Sequence, residues 1–178
     1  MPNWCSNGIT LRHADPAMID RVIAGKEGLL QEFIPCPEEL MNAVANFETN
    51  EAMVAKYGFS SWYDWSIANW GTKWDFALEN VERADANTVT AAFDSAWAPP
   101  VEAYRQLCAL GFEIEAMYYE PGMGFVGKFV GDESWCDDNC LEFHGQTSET
   151  VRDYIGEELD DYFGISESMA DWEEENQE

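Results

Sequence analysis

Residues 88–130 read TVTAAFDSAWAPPVEAYRQLCALGFEIEAMYYEPGMGFVGKFV, and this stretch decides the fold. Its first six residues are rich in Thr, Val, Ala and Phe, which is typical of a strand. Residues 100–110 then predict a helix, because Pro100 stands at its start and Gly111 at its end. The apolar residues of that helix recur on one face. A strand followed by a helix is therefore expected here.

The second half of this stretch predicts a β-hairpin. Residues 112–118 alternate between apolar and polar side chains, as a half-buried strand does. The run Pro-Gly-Met-Gly at 121–124 is a turn signal, and residues 125–130 form the returning strand. The order strand, helix, strand, strand is characteristic of an α+β sandwich in which helices cover an antiparallel sheet.

The residues before this stretch supply the missing elements. Residues 3–13 predict a first strand, and Asp15-Pro16 signals the start of a helix. A long insertion follows, at about residues 33–80. The fold class favoured is a ferredoxin-like sandwich with the helices on one face of the sheet. That topology requires one more strand after the first helix, which we expect around residues 65–76.

The residues after this stretch predict an acidic extension. We expect a single domain over residues 1–146, an amphipathic helix over 147–165 with Thr147 or Ser148 as its N-cap, and a frayed or disordered tail over 166–178. The helix has apolar residues at i, i+3, i+4, i+8, i+11 and i+12, starting from Val151.

The net charge excludes several classes of function. The 178 residues contain 35 Asp and Glu against 9 Lys and Arg, for a net charge of −26. A protein of this charge repels phosphate backbones and anionic membranes, so direct binding to nucleic acid or to a membrane is not expected. No apolar run is long enough to span a bilayer. The five cysteines and the absence of a signal-peptide pattern predict reduced thiols and a cytoplasmic location.

The acidic residues are concentrated near the C-terminus. Residues 129–178 contain 17 Asp and Glu and only one basic residue, Arg152. In a continuous helix, Glu149, Asp153, Glu157 and Asp161 form a row at i+4 spacing. The linear charge density of this segment approaches that of one DNA strand, as a nucleic-acid mimic requires. The alternative is a solvated face that keeps the protein soluble. The predicted acidic binding surface comprises Asp132, Glu133, Asp137, Asp138, Glu149, Asp153, Glu157, Glu158, Asp160 and Asp161.

A second candidate is a zinc site. Cys136, Cys140 and His144 follow one another at intervals of four residues, and thiolates and imidazole are the ligands that zinc prefers. A closed site needs a fourth ligand, for which Cys5, His13, Cys36 and Cys108 are available. The alternative is two partly buried thiols and a surface histidine, in which case no cofactor is needed.

A third candidate is the aromatic insertion, which contains Trp62, Trp65, Trp70 and Trp74. Exposed aromatic rings stack on bases or anchor protein interfaces. The alternative is that they form a core over the sheet. Lys73 lies between two of these tryptophans and is placed for a cation–π contact.

Several short motifs resemble one known family. These are residues 3–5 (NWC), 34–40 (IPCPEEL), 62–65 (WYDW), 69–75 (NWGTKWD) and 93–100 (FDSAWAPP). Over about residues 2–130 they resemble the YubB-like family of phage- and plasmid-borne proteins, which have a ferredoxin-like domain. The resemblance implies an origin on a mobile element and a bacterial host cytoplasm. It implies no catalytic residue, and the segment from Asp132 onward lies outside the pattern.

These observations together predict an interaction protein. The sequence contains no G-x-S-x-G, P-loop or H-E-x-x-H motif, and Gly122-Met123-Gly124 belongs to the predicted turn and not to a phosphate-binding loop, so an enzyme is not expected. The leading hypothesis is an accessory protein of a mobile element that mimics nucleic acid and inhibits a basic host protein, such as a defence or DNA- or RNA-binding protein. The alternatives are a small zinc-binding module and a protein whose aromatic surface binds a partner while its charge serves only solubility.

Overall fold

A computed structural model describes residues 2–42 and 50–176, and these residues form one antiparallel sheet covered by helices. Six strands of the described chain are hydrogen-bonded in the order β2-β3-β1-β4-β5-β6. Their bounds are β1 (Trp4–His13), β2 (Glu79–Asp85), β3 (Thr88–Ala96), β4 (Phe112–Glu120), β5 (Phe125–Gly131) and β6 (Cys136–Glu142). The predicted antiparallel α+β architecture is confirmed.

The helices fall into three groups along the chain. The first strand is followed by α1 (Pro16–Ala24), α2 (Leu29–Phe33), α3 (Glu38–Met41), α4 (Glu51–Tyr57) and α5 (Trp62–Trp70). Between β3 and β4 lies α6 (Val101–Ala109). After β6 come α7 (Val151–Ile155), α8 (Glu157–Phe163) and α9 (Ile165–Glu175). The predicted start of α1 is confirmed, because the Asp15 side chain accepts a hydrogen bond from the amide of Ala17.

The main core lies between one face of the sheet and helices α1 to α6. The inward residues of the central strands alternate with outward ones, so that Ile9 of β1 stands opposite Ala91 of β3 and Ala116 of β4. Phe112, Phe129 and Leu107 are among the buried side chains of this core. The alternation of residues 112–118 predicted this correctly.

The insertion is helical where a strand was expected. Residues 65–76 do not form a strand. Instead, Ser61 caps the start of α5 by accepting a hydrogen bond from the Asp64 amide, and Gly71 ends the helix in a left-handed conformation. The additional strand is β2, which lies later, at the edge of the sheet. Most residues of β2 are exposed, and several are charged. The strand therefore lacks the alternation of apolar and polar residues by which a strand is predicted. Residues 43–49 of the insertion lie outside the described residues.

The C-terminal helices cover the other face of the sheet. Val151, Ile155, Leu159 and Ile165 pack on Val126, and these residues form a second, smaller core. The expectation that helices occupy only one face is thus incomplete. None of the helices in the described ranges has both the length and the apolar character that a bilayer-spanning segment needs.

The predicted continuous helix over 147–165 is interrupted. Gly156 has φ +92°, and Gly164 has φ +62°, so the chain turns twice and forms three short helices. The N-cap is Thr150 and not Thr147 or Ser148. The prediction of a frayed tail is also wrong for residues 166–175, since α9 packs through Met169 on the second core and Glu173 accepts hydrogen bonds from Ser148. Residues 177–178 lie outside the described chain.

Candidate protein-binding surface

Five side chains converge at one end of the sheet and form what we call the aromatic patch. The ring centres of Trp4 and Trp74 are 6.3 Å apart, and those of Tyr63 and Trp97 are 6.5 Å apart. The ammonium of Lys73 joins the two pairs, because it lies 4.3 Å from the ring centre of Trp74, 5.0 Å from that of Trp97 and 5.8 Å from that of Tyr63. The four rings remain 37–48% exposed although they touch one another or share this cation. The two pairs of rings and the Lys73 ammonium between them form one surface cluster.

The members of the patch come from four separate parts of the chain. Trp4 begins β1, and Tyr63 lies in the first turn of α5. Lys73 and Trp74 lie in the loop after α5, where the buried hydroxyl of Thr72 donates a hydrogen bond to the carbonyl of Ala96. That bond ties the loop to the end of β3, from which Trp97 follows directly. The sheet end and the insertion thus build the surface together.

Trp97 is held in an unusual backbone conformation. Its φ is +68°, in the left-handed region that bulky residues rarely adopt and that costs about 1–3 kcal/mol. Two contacts keep it there: the Trp97 amide donates to the carbonyl of Asn3 at 2.9 Å, and the Ser95 hydroxyl donates to the carbonyl of Ala98 at 2.8 Å. Strain of this kind concentrates at functional sites, and here it presents an exposed indole next to Lys73.

The predicted aromatic residues divide into core and surface. Trp65 and Trp70 are buried and pack edge to face with ring centres 5.3 Å apart, and the Trp70 indole donates to the carbonyl of Ile34 at 2.9 Å. These two support the alternative of a core over the sheet. Trp62 is half-buried, whereas Trp74 belongs to the patch. Next to the patch, an open apolar cleft of about 380 Å³ is lined by Gln31, Met41, Trp62, Trp70, Lys73, Trp74 and Asp75.

Glu149 and the acidic residues of α7 and α8 do not form the predicted row. The turn at Gly156 separates Glu149 and Asp153 from Glu157 and Asp161. Arg152 forms ion pairs with Glu157, Asp160 and Asp161, and Lys128 forms one with Glu158. Glu149 and Asp153 remain exposed to solvent. The row that was expected to mimic a DNA strand is therefore broken in geometry and partly neutralised.

Asp160 is a structural residue and not part of an exposed surface. It is 2% exposed and accepts hydrogen bonds from the amide and the hydroxyl of Ser166, each at 2.7 Å. Burial alone would raise the pKa of Asp160, but these hydrogen bonds and the Arg152 guanidinium outweigh it and lower the pKa below its usual value. Asp160 therefore joins α7, α8 and α9 as a buried carboxylate.

The four acids around β6 have mixed roles. Asp132 organises the turn between β5 and β6, where it accepts hydrogen bonds from the hydroxyl and the amide of Ser134, and these lower its pKa. Asp138 accepts a hydrogen bond from the Tyr118 hydroxyl at 2.7 Å. Burial, aided by Asp138, raises the pKa of Tyr118. Glu133 and Asp137 are exposed. This edge strand thus presents charge outward, which discourages pairing with another chain.

The proposed zinc ligands are not brought together. Cys136 and Cys140 both lie on β6, where four residues along a strand span about 13 Å. His144 lies beyond the strand, with its ring against Gly124. Within residues 2–42 and 50–176, no group of three or more His, Cys, Asp or Glu side chains is arranged to hold a metal ion. Side chains four residues apart can share a metal ion when the segment is helical or forms a tight turn. Residues 136–142 are instead an extended strand.

Sequence reasoning missed two members of the aromatic patch, which are Trp4 and Trp97. They are distant in sequence, so no spacing announces their convergence. Lys73 lies between Trp70 and Trp74 in the sequence and was predicted to make a cation–π contact. The structure confirms such a contact with Trp74 and adds contacts with Trp97 and Tyr63.

Comparisons with known proteins identify the fold and the family. Residues 73–177 match the family described as the ferredoxin-like domain in Api92-like protein. A crystal structure of protein Api92 from Yersinia pseudotuberculosis is similar with a TM-score of 0.52 and 14% identity, covering 82% of this chain and 99% of that one. The search among curated proteins gave no match.

The family match also covers the acidic C-terminal helices. The segment from Asp132 onward, which lies outside the YubB-like pattern, is within the matched residues 73–177. These helices are thus part of the recognised domain, consistent with their packing on the sheet. The ferredoxin-like fold predicted from the order of elements is confirmed. Because the match covers more than half of the sequence, this chain belongs to the family of the ferredoxin-like domain in Api92-like proteins.

Proposed function

We propose that this protein binds a basic partner protein, with the aromatic patch as the centre of the contact. The observation that carries the proposal is the group of four partly exposed rings around Lys73, one of them held at a strained φ of +68°. Tryptophan and tyrosine are the residues most enriched at the energetic centres of protein interfaces. A protein that needed these rings only for its core has no reason to leave them at the surface.

The charge of the partner follows from the charge of the whole protein. Six of the nine basic residues are engaged in ion pairs with carboxylates. Among the described residues, only Arg12, Lys26 and Lys73 form no such pair, and Lys73 contacts rings instead. The protein, with a net charge of −26, therefore exposes few basic groups that are not paired with a carboxylate. A field of this sign accelerates encounter with a cationic protein and opposes encounter with an anionic one.

The aromatic patch favours arginine in the partner over lysine. A guanidinium is planar and weakly hydrated, so it stacks on indole and phenol rings while it also pairs with carboxylates. A lysine ammonium is attracted by the same long-range electrostatic field, but its contact with an aromatic ring is less favourable in free energy. The acidic surface therefore attracts both cations, and the patch distinguishes between them.

The proposal is tested with a fluorescent octa-arginine peptide and an octa-lysine peptide as probes. Fluorescence anisotropy at low and high salt measures the affinity of each. We expect the octa-arginine peptide to bind more tightly, and we expect the difference to be lost when Trp74→Ala and Trp97→Gly are combined. Glycine at 97 removes the ring without adding strain, because glycine adopts positive φ freely.

The matched control combines Trp135→Ala and Trp172→Ala, which remove two exposed tryptophans outside the aromatic patch. This control should keep the preference for arginine. Equal affinity for the two peptides, or an equal loss of the preference in both double variants, would show that the charge acts alone and would refute the patch as the contact.

The narrower hypothesis, a mobile-element inhibitor that mimics nucleic acid, is a second proposal. Its support is the resemblance to the YubB-like family and the exposed carboxylates of Glu149, Asp153 and Asp137. On this proposal the C-terminal helices occupy the groove of a nucleic-acid-binding protein in a bacterial cytoplasm. Reversing Glu149 and Asp153 to lysine should then abolish competition with DNA for such a protein. Unchanged competition after the reversals would contradict it.

A further inference from the structure

Two of the five cysteines face the same point on the sheet. A Cβ placed on Gly131 would lie 2.8 Å from the Cβ of Cys136 and 3.2 Å from the Sγ of Cys108. The space beside Gly131 is therefore bordered by both cysteine side chains and by the Phe129 ring, 3.1 Å from the same point, and no side chain of residue 131 separates the cysteines. The sequence does not predict that Cys108 and Cys136 lie close together, because they are far apart in the chain.

The two cysteines come from different elements that pack together. Cys136 is the first residue of β6 and pairs directly opposite Gly131 of β5. Cys108 is near the end of α6 and is buried against the same face of the sheet. The pair thus spans the contact between a core helix and the exposed edge strand. A covalent link between them would fasten the edge strand to the core.

The pair is reachable from solvent. Both cysteines line an open cleft of about 240 Å³, together with Arg105, Asp132 and Trp135. Cys136 is exposed, whereas Cys108 is buried. Burial, with smaller contributions from Cys136 and Asp132, raises the pKa of Cys108 to about 11, so Cys108 stays a thiol at neutral pH. A small oxidant therefore meets Cys136 first.

We propose that Cys108 and Cys136 are an oxidisable pair that forms an intramolecular disulfide on exposure to a peroxide. The Cys136 thiolate attacks hydrogen peroxide, so that an S–O bond forms, the O–O bond breaks, and hydroxide leaves. The Cys108 sulfur then attacks the sulfenic sulfur and gives up its proton to the leaving hydroxyl in the same step. An S–S bond forms, and the sulfenic hydroxyl leaves as water with the proton of the thiol. The peroxide is reduced and the two thiols are oxidised, so the electrons balance.

The test uses the intact protein treated with hydrogen peroxide, followed by unfolding and titration of the remaining thiols. The reduced protein has five thiols, and we expect three after treatment. Trypsin cleaves after Arg105, Lys128 and Arg152, so mass spectrometry should find peptide 106–128 joined to peptide 129–152 under non-reducing conditions. The oxidised protein should also melt at a higher temperature, because the link constrains the unfolded chain.

Cys140 supplies the matched control. It is exposed on the same strand, but it stands opposite Gly127, where the hydroxyl of Tyr118 fills the space. Cys140→Ser should leave the disulfide intact, and Cys136→Ser should abolish it. Gly131→Ala should slow its formation by placing a methyl group between the two side chains. Five free thiols after treatment, a link between two chains, or a link that survives in Cys136→Ser would overturn the proposal.

Discussion

The Nη1 atom of Arg152 in α7 lies 2.9 Å from the Oδ2 atom of Asp160 in α8. The Asp160 carboxylate also accepts two hydrogen bonds from Ser166 at the start of α9. One buried acid therefore holds three short helices together. It was expected to face a partner because of its place in an acidic run. The structure instead makes Asp160 the centre of the C-terminal helices, and the exposed aromatic patch becomes the better candidate for binding.

Removing the Asp160 carboxylate should destabilise the domain. Asp160→Ala leaves the amide and hydroxyl of Ser166 and the Arg152 guanidinium without their acceptor, at a cost of about 1–3 kcal/mol. Asp161→Ala is the control, since Asp161 contacts the same Arg152 from an exposed position and should cost less than about 1 kcal/mol. Urea denaturation measures both. Equal losses in the two variants would show that Asp160 has no special structural role.

The contribution of Asp160 should depend on pH. Its pKa is lowered in the folded protein, so its stabilisation is complete above the unfolded value of about 3.9 and is lost as the pH falls through the folded pKa. Asp160→Asn carries no charge at any pH. The difference in unfolding free energy between wild type and this variant should be largest near neutral pH and should shrink below about pH 4. A difference that stays constant down to about pH 3 would contradict the assignment.

Two glycines with the same φ allow strain and crowding to be separated. Gly58 and Gly71 each end a helix at φ +79°, but a Cβ on Gly58 meets no atom within 4 Å. A Cβ on Gly71 would lie 3.2 Å from the backbone amides of Val101 and Glu102. Gly58→Ala should thus cost about 1 kcal/mol from the backbone conformation alone, and Gly71→Ala should cost more. Equal thermal shifts would mean that α5 and α6 do not pack as closely as described.

The tryptophans of the insertion should separate into two classes by stability. Trp70→Phe leaves the buried carbonyl of Ile34 without its donor and should destabilise the protein by about 1–3 kcal/mol. Trp74→Phe changes a partly exposed ring that supplies no such bond and should shift stability by less than about 0.5 kcal/mol. Chemical denaturation of both variants checks this. The reverse order would exchange their assignments as core and surface residues.

The sequence predicted the central strands but not the edges of the sheet. The strands β1, β3, β4 and β5 have buried faces, so hydrophobic alternation and the turn residues reveal them. The strands β2 and β6 are almost wholly exposed, and their charged residues resemble those of a loop. This is why residues 136–144 suggested a compact metal site, although seven of those nine residues form the extended strand β6.

The candidate site was predictable only in part. The insertion tryptophans were singled out, but nothing in the sequence distinguishes buried Trp65 from exposed Trp74. That distinction depends on the turn at Gly71, which carries the chain from α5 to the end of the sheet. The acidic row failed for a related reason. A single glycine at 156 ends the helical periodicity on which the row depended, and its φ of +92° is apparent only in three dimensions.

The central claim is that the aromatic patch is the surface that contacts a basic partner, and the indole N–H signals of the eight tryptophans test it directly by NMR. In a titration with the octa-arginine peptide, the signals of Trp4, Trp74 and Trp97 should shift together and saturate. Those of Trp135 and Trp172, which are exposed elsewhere, should not move. Shifts confined to Trp135 and Trp172, or no shift at any indole while the peptide binds, would contradict the account.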